Sequence, residues 1–161
     1  VDPDDDPRED APAPVGELAT LLDYLRRYPL TLELKCSDLD AEQMARRSVP
    51  PSTMSLLGLV RHLSEVERSW FRRDLAGQDA PTLYCAEERD GDWNGAMPDP
   101  DIVDEAWRTW HAEVAFAQQF ATNNRVCLCG SGLIAFAASV TKRILDSSQQ
   151  FLIVPGLYNK V

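Results

Sequence analysis

The sequence predicts an all-α protein, a four-helix bundle. Apolar residues recur at three- and four-residue spacing over three long segments, and a fourth such segment lies at 133–146. A chain of 161 residues is long enough to bury one core. We therefore expect one helical domain over 15–161, preceded by a disordered tail over 1–14, which is acidic and proline-rich.

The first two helices can be placed from their spacing and their end signals. Leucines at helical spacing predict a helix over about 16–35, and Pro29 should kink or break it. A short second helix is expected at about 41–47. Asp40 suits its N-cap, and Gln43 stands at the capping-box position.

The third and fourth helices show the clearest apolar stripes. One should cover about 53–76, with Ser52 or Thr53 as its cap. The other should cover about 100–122, where Asp99 can cap and a proline suits the first turn. Trp70, Trp107 and Trp110 fall at core spacing in these helices and are interpreted as packing residues.

The segment between these helices, 77–98, is rich in glycine and proline and predicts a long surface connection. Asp90, Asp92 and Asn94 alternate there as in a calcium loop. The further oxygen ligands and the distal glutamate of a calcium loop do not follow. We therefore interpret this stretch as a plain acidic turn.

The net charge of −10 argues against nucleic acid and against anionic membranes as partners. The acidic start does not resemble a secretory leader, and no apolar run is long enough to span a bilayer. Four cysteines do not form a disulfide framework at this length. The cytoplasm is the expected location.

The charge is also unevenly distributed along the chain. Residues 1–120 sum to −13, whereas 121–161 carry one acid and four bases and sum to +3. A domain rarely changes composition so sharply near its end, so 121–161 is treated as a divergent segment with an atypical last helix.

His62 is the candidate metal ligand. The only other histidine, His111, is on a different helix, and neither has a histidine three or four residues away. Because zinc and similar ions need three or four protein ligands, we favour a partly buried polar role for His62. His62 and Glu65 could also act together, either as a metal ligand and the residue that orients it or as an acid–base pair. Arg61 and Glu65 are expected to form an exposed ion pair.

The cysteines are a second set of candidates for chemistry. Cys127 and Cys129 form a Cys-x-Cys motif, but no second pair stands at metal-site spacing, so packing is preferred. Cys36 is interpreted as a core residue.

Several motifs resemble the mini-circle protein branch of the DinB-like superfamily, a branch common in actinobacteria. The resemblance covers about 16–120. Its motifs are LELKCSDL at 32–39, SVPPS at 48–52, LLGLVRHL at 56–63, VERSWFR at 66–72 and LAGQDAPTLY at 75–84.

The resemblance implies a DinB/YfiT-like four-helix bundle, often a homodimer. It also implies a divalent metal of the zinc or nickel type, held by one histidine from the second long helix and two from a late helix. His62 matches the first, but 112–161 contain no histidine. A reading-frame change near 121–126 is our favoured explanation, and a genuinely divergent C-terminus is the alternative.

Two functions follow from the resemblance. The first is a bundle protein of uncharacterised role with an incomplete metal site. The alternative is a metal-dependent transferase or isomerase that uses a small thiol of the mycothiol type, with His62 as a ligand. Glu65, Glu113 or a cysteine would then replace the missing histidines. A third hypothesis is a binding partner that acts through an exposed apolar bundle face.

Overall fold

The computed structural model describes residues 6–8 and 13–123, and within these ranges every regular element is a helix. The all-α prediction is confirmed for this part of the chain. The elements are α1 (Glu17–Cys36), α2 (Ala41–Ala45), α3 (Leu56–Glu67), a π-helix (Arg68–Leu75), α4 (Gly91–Asn94) and α5 (Pro100–Asn123).

The described residues fall into two compact units. One contains α1, and the other runs from Asp38 to Phe120 and contains everything from α2 to most of α5. None of the described helices is long and apolar enough to cross a membrane. The predicted helix at 133–146 and the cysteines at 127 and 129 lie outside the described residues.

Helix α1 continues through Pro29, so a break there is excluded, and the kink that was the alternative stays a prediction. Its buried residues are Leu25, Pro29, Leu32 and Cys36, which follow one another at helical spacing. Burial of this stripe outweighs the local cost of about 3 kcal/mol that an interior proline imposes on a helix. The prediction that Cys36 is a core residue is confirmed, and burial raises the pKa of its thiol to about 12.

Helix α2 begins as predicted. The Asp40 carboxylate accepts a hydrogen bond from the Gln43 N–H at 2.8 Å, and the Gln43 side-chain oxygen accepts one from the Asp40 N–H at 2.9 Å. This is a complete capping box. The helix ends at Ala45, two residues before the predicted end.

Helix α3 begins later than predicted, because Ser55 caps it instead of Ser52 or Thr53. The Ser55 hydroxyl accepts a hydrogen bond from the Gly58 N–H at 3.0 Å. The helix buries Leu57, Leu59, Val60 and Leu63. After Glu67 the helix continues without a break, with a different hydrogen-bond pattern, to Leu75, so the single helical segment that the sequence predicted is present.

The second part of that predicted helix is the π-helix. The Ala76 N–H donates to the Phe71 carbonyl, five residues earlier, at 3.0 Å. Gly77 follows with a φ of 62°, a left-handed conformation that suits glycine and ends the helix. Stretches of π-helix occur frequently at functional sites.

The connection between the π-helix and α5 is largely exposed, as the sequence predicted, but its acidic stretch is not the plain turn that was expected. It contains α4, whose Gly91 and Asp92 are buried. A Cβ on Gly91 would lie 2.2 Å from the Tyr84 carbonyl oxygen, so only glycine fits this approach. Arg61 of α3 donates to the carbonyl oxygens of Asp92 at 3.0 Å and Gly91 at 3.1 Å, which ties α4 to α3.

Helix α5 follows the prediction closely. The Asp99 side chain accepts a hydrogen bond from the Asp101 N–H at 2.9 Å, as expected for a capping aspartate. The buried face of α5 is apolar except for Glu113. Its apolar residues are Ala106, Trp110, Val114, Ala117 and Ala121.

Candidate functional site

The imidazole of His62 is held by a buried carboxylate. Its Nδ1 atom lies 2.7 Å from Asp92 Oδ2, and the side chains are 30% and 5% exposed, respectively. Because a carboxylate only accepts hydrogen bonds, the neutral ring carries its proton on Nδ1. The Nε2 atom therefore keeps its lone pair and is bonded to no group among the described residues.

Asp92 and Trp93 of α4 fix the orientation of this ring. The other carboxylate oxygen, Oδ1, accepts a hydrogen bond from the Trp93 N–H at 2.9 Å. The Trp93 indole stacks on His62 with 4.9 Å between ring centroids. With one edge bonded and one face covered, the imidazole has few orientations left, and such support is typical of functional histidines.

His62 lies in the wall of an open cleft of about 420 Å³. The cleft is formed by α3, the π-helix, the connection that follows it and α4. Its lining residues are His62, Glu65, Val66, Ser69, Trp70, Arg73, Asp74, Thr82, Cys85, Arg89, Asp90, Asp92 and Trp93. Trp70 therefore lines a cleft and is half-buried, whereas the sequence placed it in the core.

Glu65 is on the same wall, one helical turn after His62. Its Oε1 atom accepts a hydrogen bond from the Leu83 N–H at 2.8 Å and a longer one from the Tyr84 N–H at 3.4 Å. The side chain thus holds the connection against α3. The predicted exposed pair of Arg61 with Glu65 is wrong, because Glu65 is buried and Arg61 is bonded to α4.

Of the two cysteines that the structure describes, Cys85 is the one at this cleft. It lines the cleft, and burial together with the negative charges of Asp92 and Glu65 raises the pKa of its thiol. A raised pKa keeps the thiol protonated near neutral pH, so Cys85 is a poor nucleophile.

A second group of charged residues surrounds Glu113, which is 4% exposed. Its carboxylate accepts hydrogen bonds from Arg68 Nη1 at 2.8 Å and Arg72 Nε at 2.6 Å. Both oxygens are thereby paired with guanidinium groups, and Glu113 as a replacement metal ligand stays a prediction. Glu67 is buried beside it, and burial with the Glu113 charge raises the pKa of Glu67 to about 8.

The two histidines do not share a site. His111 is exposed on α5, where it stacks on Trp107 with 5.8 Å between ring centroids. A shallow groove there involves only α5 residues, among them Asp101, Asp104 and Arg108.

The cleft also contains residues that sequence reasoning did not select. Asp92 was interpreted as part of an acidic turn, and Arg73 and Trp93 were not considered. The signal that could have found Asp92 was the tryptophan beside it, since an aromatic residue inside a glycine-rich acidic stretch predicts local burial.

The divalent metal that the resemblance implies can be tested against the donors present. His62 has the carboxylate support that metal-binding imidazoles commonly have. Within residues 6–8 and 13–123, however, no three His, Cys, Asp or Glu side chains are grouped so that they could hold a metal ion. These residues do not fit a complete metal site, and His62 as a ligand stays a prediction.

The fold and the cleft together define a helical protein with an oriented histidine beside an open polar cleft. The chain belongs to the mycothiol-S-transferase family, whose model matches residues 20–127. This family is DinB/YfiT-like, so the resemblance seen in the sequence is confirmed at that level. No curated protein and no solved structure matches the chain.

Proposed function

We propose that the cleft binds a low-molecular-weight thiol and joins it, through its sulfur, to an electrophilic carbon that loses a leaving group. Mycothiol is the thiol that the family name indicates. The observation that carries the proposal is the 2.7 Å hydrogen bond between His62 Nδ1 and Asp92 Oδ2 beside an open cleft.

In the proposed reaction, His62 Nε2 accepts the proton of the bound thiol. The thiolate then forms a carbon–sulfur bond, and the leaving group departs with the electron pair of the bond it breaks. Asp92 stabilises the imidazolium through its hydrogen bond to Nδ1. His62 then returns the proton to solvent or to the leaving group.

This proposal replaces the non-catalytic bundle protein that we favoured from the sequence. A histidine with only a packing role has no need of a buried carboxylate on one ring nitrogen. The Asp92 side chain is only 5% exposed, so its hydrogen bond to Nδ1 is shielded from competing water.

The proposal is tested by transfer of mycothiol to a fluorogenic haloalkyl bimane, with fluorescence as the readout. We expect His62→Ala to lower kcat/KM by roughly 10²- to 10⁴-fold, the usual contribution of a positioned general base. His111→Ala is the matched control and should retain the wild-type rate. Equal rates for wild type and His62→Ala, with both proteins folded, would contradict the proposal.

A metal-dependent form of the reaction is the second candidate. It is favoured by the carboxylate on Nδ1, which is the support that metal-ligating histidines usually receive. A bound divalent ion of the zinc or nickel type lowers the pKa of a thiol ligand. Elemental mass spectrometry of wild type and His62→Ala tests it: stoichiometric metal lost in the variant supports the metal form, and metal in neither supports direct proton transfer to His62.

Four finer assignments are part of the proposal. We assign the chain to the mini-circle branch and to an actinobacterial source on the motif at 56–63, and we expect a cytoplasmic homodimer. Light scattering coupled to gel filtration tests the homodimer, since a mass of one chain of 18.0 kDa would refute it.

A further inference from the structure

Two consecutive residues of α3 bind Asp92, one at its backbone and one at its side chain. Arg61 Nε donates a hydrogen bond to the Asp92 carbonyl oxygen at 3.0 Å, and Arg61 Nη2 donates one to the Gly91 carbonyl oxygen at 3.1 Å. His62 Nδ1 lies 2.7 Å from Asp92 Oδ2. Arg61 therefore holds the peptide group of the same residue whose carboxylate orients His62.

Helix α4 does not hold the Asp92 peptide in place by itself. It has four residues, whereas an isolated helix needs roughly 12 to 15 to be even marginally stable. In a longer helix the Ala96 N–H would bond the Asp92 carbonyl, but here it donates to the Trp93 carbonyl at 3.3 Å. Arg61 supplies the donor that the helix does not.

The Arg61 guanidinium is itself fixed, and it lies outside the lining of the cleft. Its Cζ atom lies 3.9 Å from the centroid of the Tyr84 ring, and its Nη1 atom lies 3.8 Å from Glu105 Oε2. The Tyr84 hydroxyl donates to Glu105 Oε1 at 3.2 Å. A Cβ on Gly95 would lie 2.6 Å from Arg61 Nη2, so the backbone packs directly against the guanidinium. The Arg61 side chain is 11% exposed, so water competes little for its donors.

We propose that Arg61 is a positioning residue for thiol transfer: through the backbone of α4 it holds the Asp92 carboxylate where that group keeps the His62 proton on Nδ1. This inference rests on the proposed function and adds to it a residue that acts through Asp92 and does not contact the thiol. A displacement of about 1 Å in a catalytic constellation can lower a rate roughly 100-fold. Loss of the Arg61 hydrogen bonds should therefore slow the reaction, although no residue of the cleft lining is changed.

The test uses two variants of Arg61 and one control. Arg61→Met removes the donors and the charge and keeps an unbranched side chain beside Tyr84. Arg61→Lys keeps the charge but replaces the planar fork with a single ammonium group. Arg108→Met is the matched control, because Arg108 is exposed on α5 and its Nε bonds the Asp104 carbonyl of the same helix at 3.3 Å. Circular dichroism checks that each variant is folded.

We expect Arg61→Met to lower kcat for transfer of mycothiol to the bimane roughly 10- to 100-fold with little change in KM. Arg61→Lys should lose less, and Arg108→Met should keep the wild-type rate. The double variant Arg61→Met/Asp92→Asn should have the kcat of Asp92→Asn alone, because Arg61 acts through that carboxylate. A wild-type kcat in Arg61→Met, or losses that multiply in the double variant, would overturn the role of Arg61. Arg61→Lys enters the same cycle if Arg61→Met does not fold.

Nitrogen NMR of the His62 ring in the free protein separates this inference from the proposed function, because it needs no turnover. The folded Arg61 variants should show part of His62 protonated on Nε2, with the His111 signals unchanged. This change, in a protein whose wild type does not transfer the thiol, would support the role of Arg61 and overturn the reaction. A His62 ring that stays protonated on Nδ1 alone in the folded variants would overturn the role of Arg61, whatever the rates.

Discussion

Glu67 gives the sharpest prediction about stability. It is buried at the end of α3, 6% exposed, and its Oε2 atom has no hydrogen-bond partner among the described residues. Burial and the nearby charge of Glu113 raise the pKa of Glu67 from 4.5 to about 8. The folded protein therefore holds a proton that the unfolded chain releases at much lower pH.

The consequence is a loss of stability as the pH rises. Between pH 4.5 and pH 8 the unfolded chain is ionised at this position and the folded protein is not, so folding binds one proton. Each pH unit in that window removes about 1.4 kcal/mol from the free energy of unfolding, or about 5 kcal/mol over the whole window. The loss of stability is complete above pH 8, the pKa of Glu67 in the folded protein, and absent below pH 4.5, its pKa in the unfolded chain.

Glu67→Gln removes this pH dependence, because the amide does not ionise. Urea unfolding of both proteins between pH 5.5 and pH 7.5 should show the variant gaining about 3 kcal/mol relative to wild type. Glu87→Gln, at an exposed position, should run parallel to wild type. The test is the slope of the free energy of unfolding against pH. A constant difference between the two proteins reports only how the amide packs. Parallel curves for wild type and Glu67→Gln would refute a neutral Glu67.

Three further predictions concern the site and its scaffold. Asp92→Asn should lower kcat/KM for thiol transfer roughly 10- to 100-fold with the fold retained, because the amide no longer fixes the Nδ1–H form; a wild-type rate would contradict this. Ser55→Ala should lower the free energy of unfolding by about 1 kcal/mol, measured by urea unfolding, while Thr53→Ala should change it by less than about 0.5 kcal/mol. Gly91→Ala places a methyl group 2.2 Å from the Tyr84 carbonyl oxygen, so its melting temperature should fall clearly; an unchanged value would show that α4 moves freely.

The helices could be predicted because their signals are local. The capping box of Asp40 and Gln43 and the cap at Asp99 depend on residues three or fewer positions apart, and both were found from the sequence. The continuation of α1 through Pro29 could not be predicted, because it depends on burial of the proline ring in the folded protein. The change from α-helix to π-helix after Glu67 also leaves no clear mark on apolar spacing.

The site was predictable only in part, because its contacts join residues that are far apart in the chain. His62 could be selected from its motif, but its partner Asp92 is 30 residues away in the chain. Glu113 shows the same limit: its residue type fits metal ligation, and only the folded chain places two arginines against it.

The central claim is that His62 Nε2 receives the proton of a bound thiol. The chain has two histidines, so only they give imidazole-nitrogen NMR signals, and exposed His111 is an internal control. We predict that free His62 carries its proton on Nδ1 and that added mycothiol shifts its Nε2 signal to the imidazolium position, with His111 unchanged. A His62 ring protonated on Nε2 in the free protein, or unaffected by the thiol, would contradict the account.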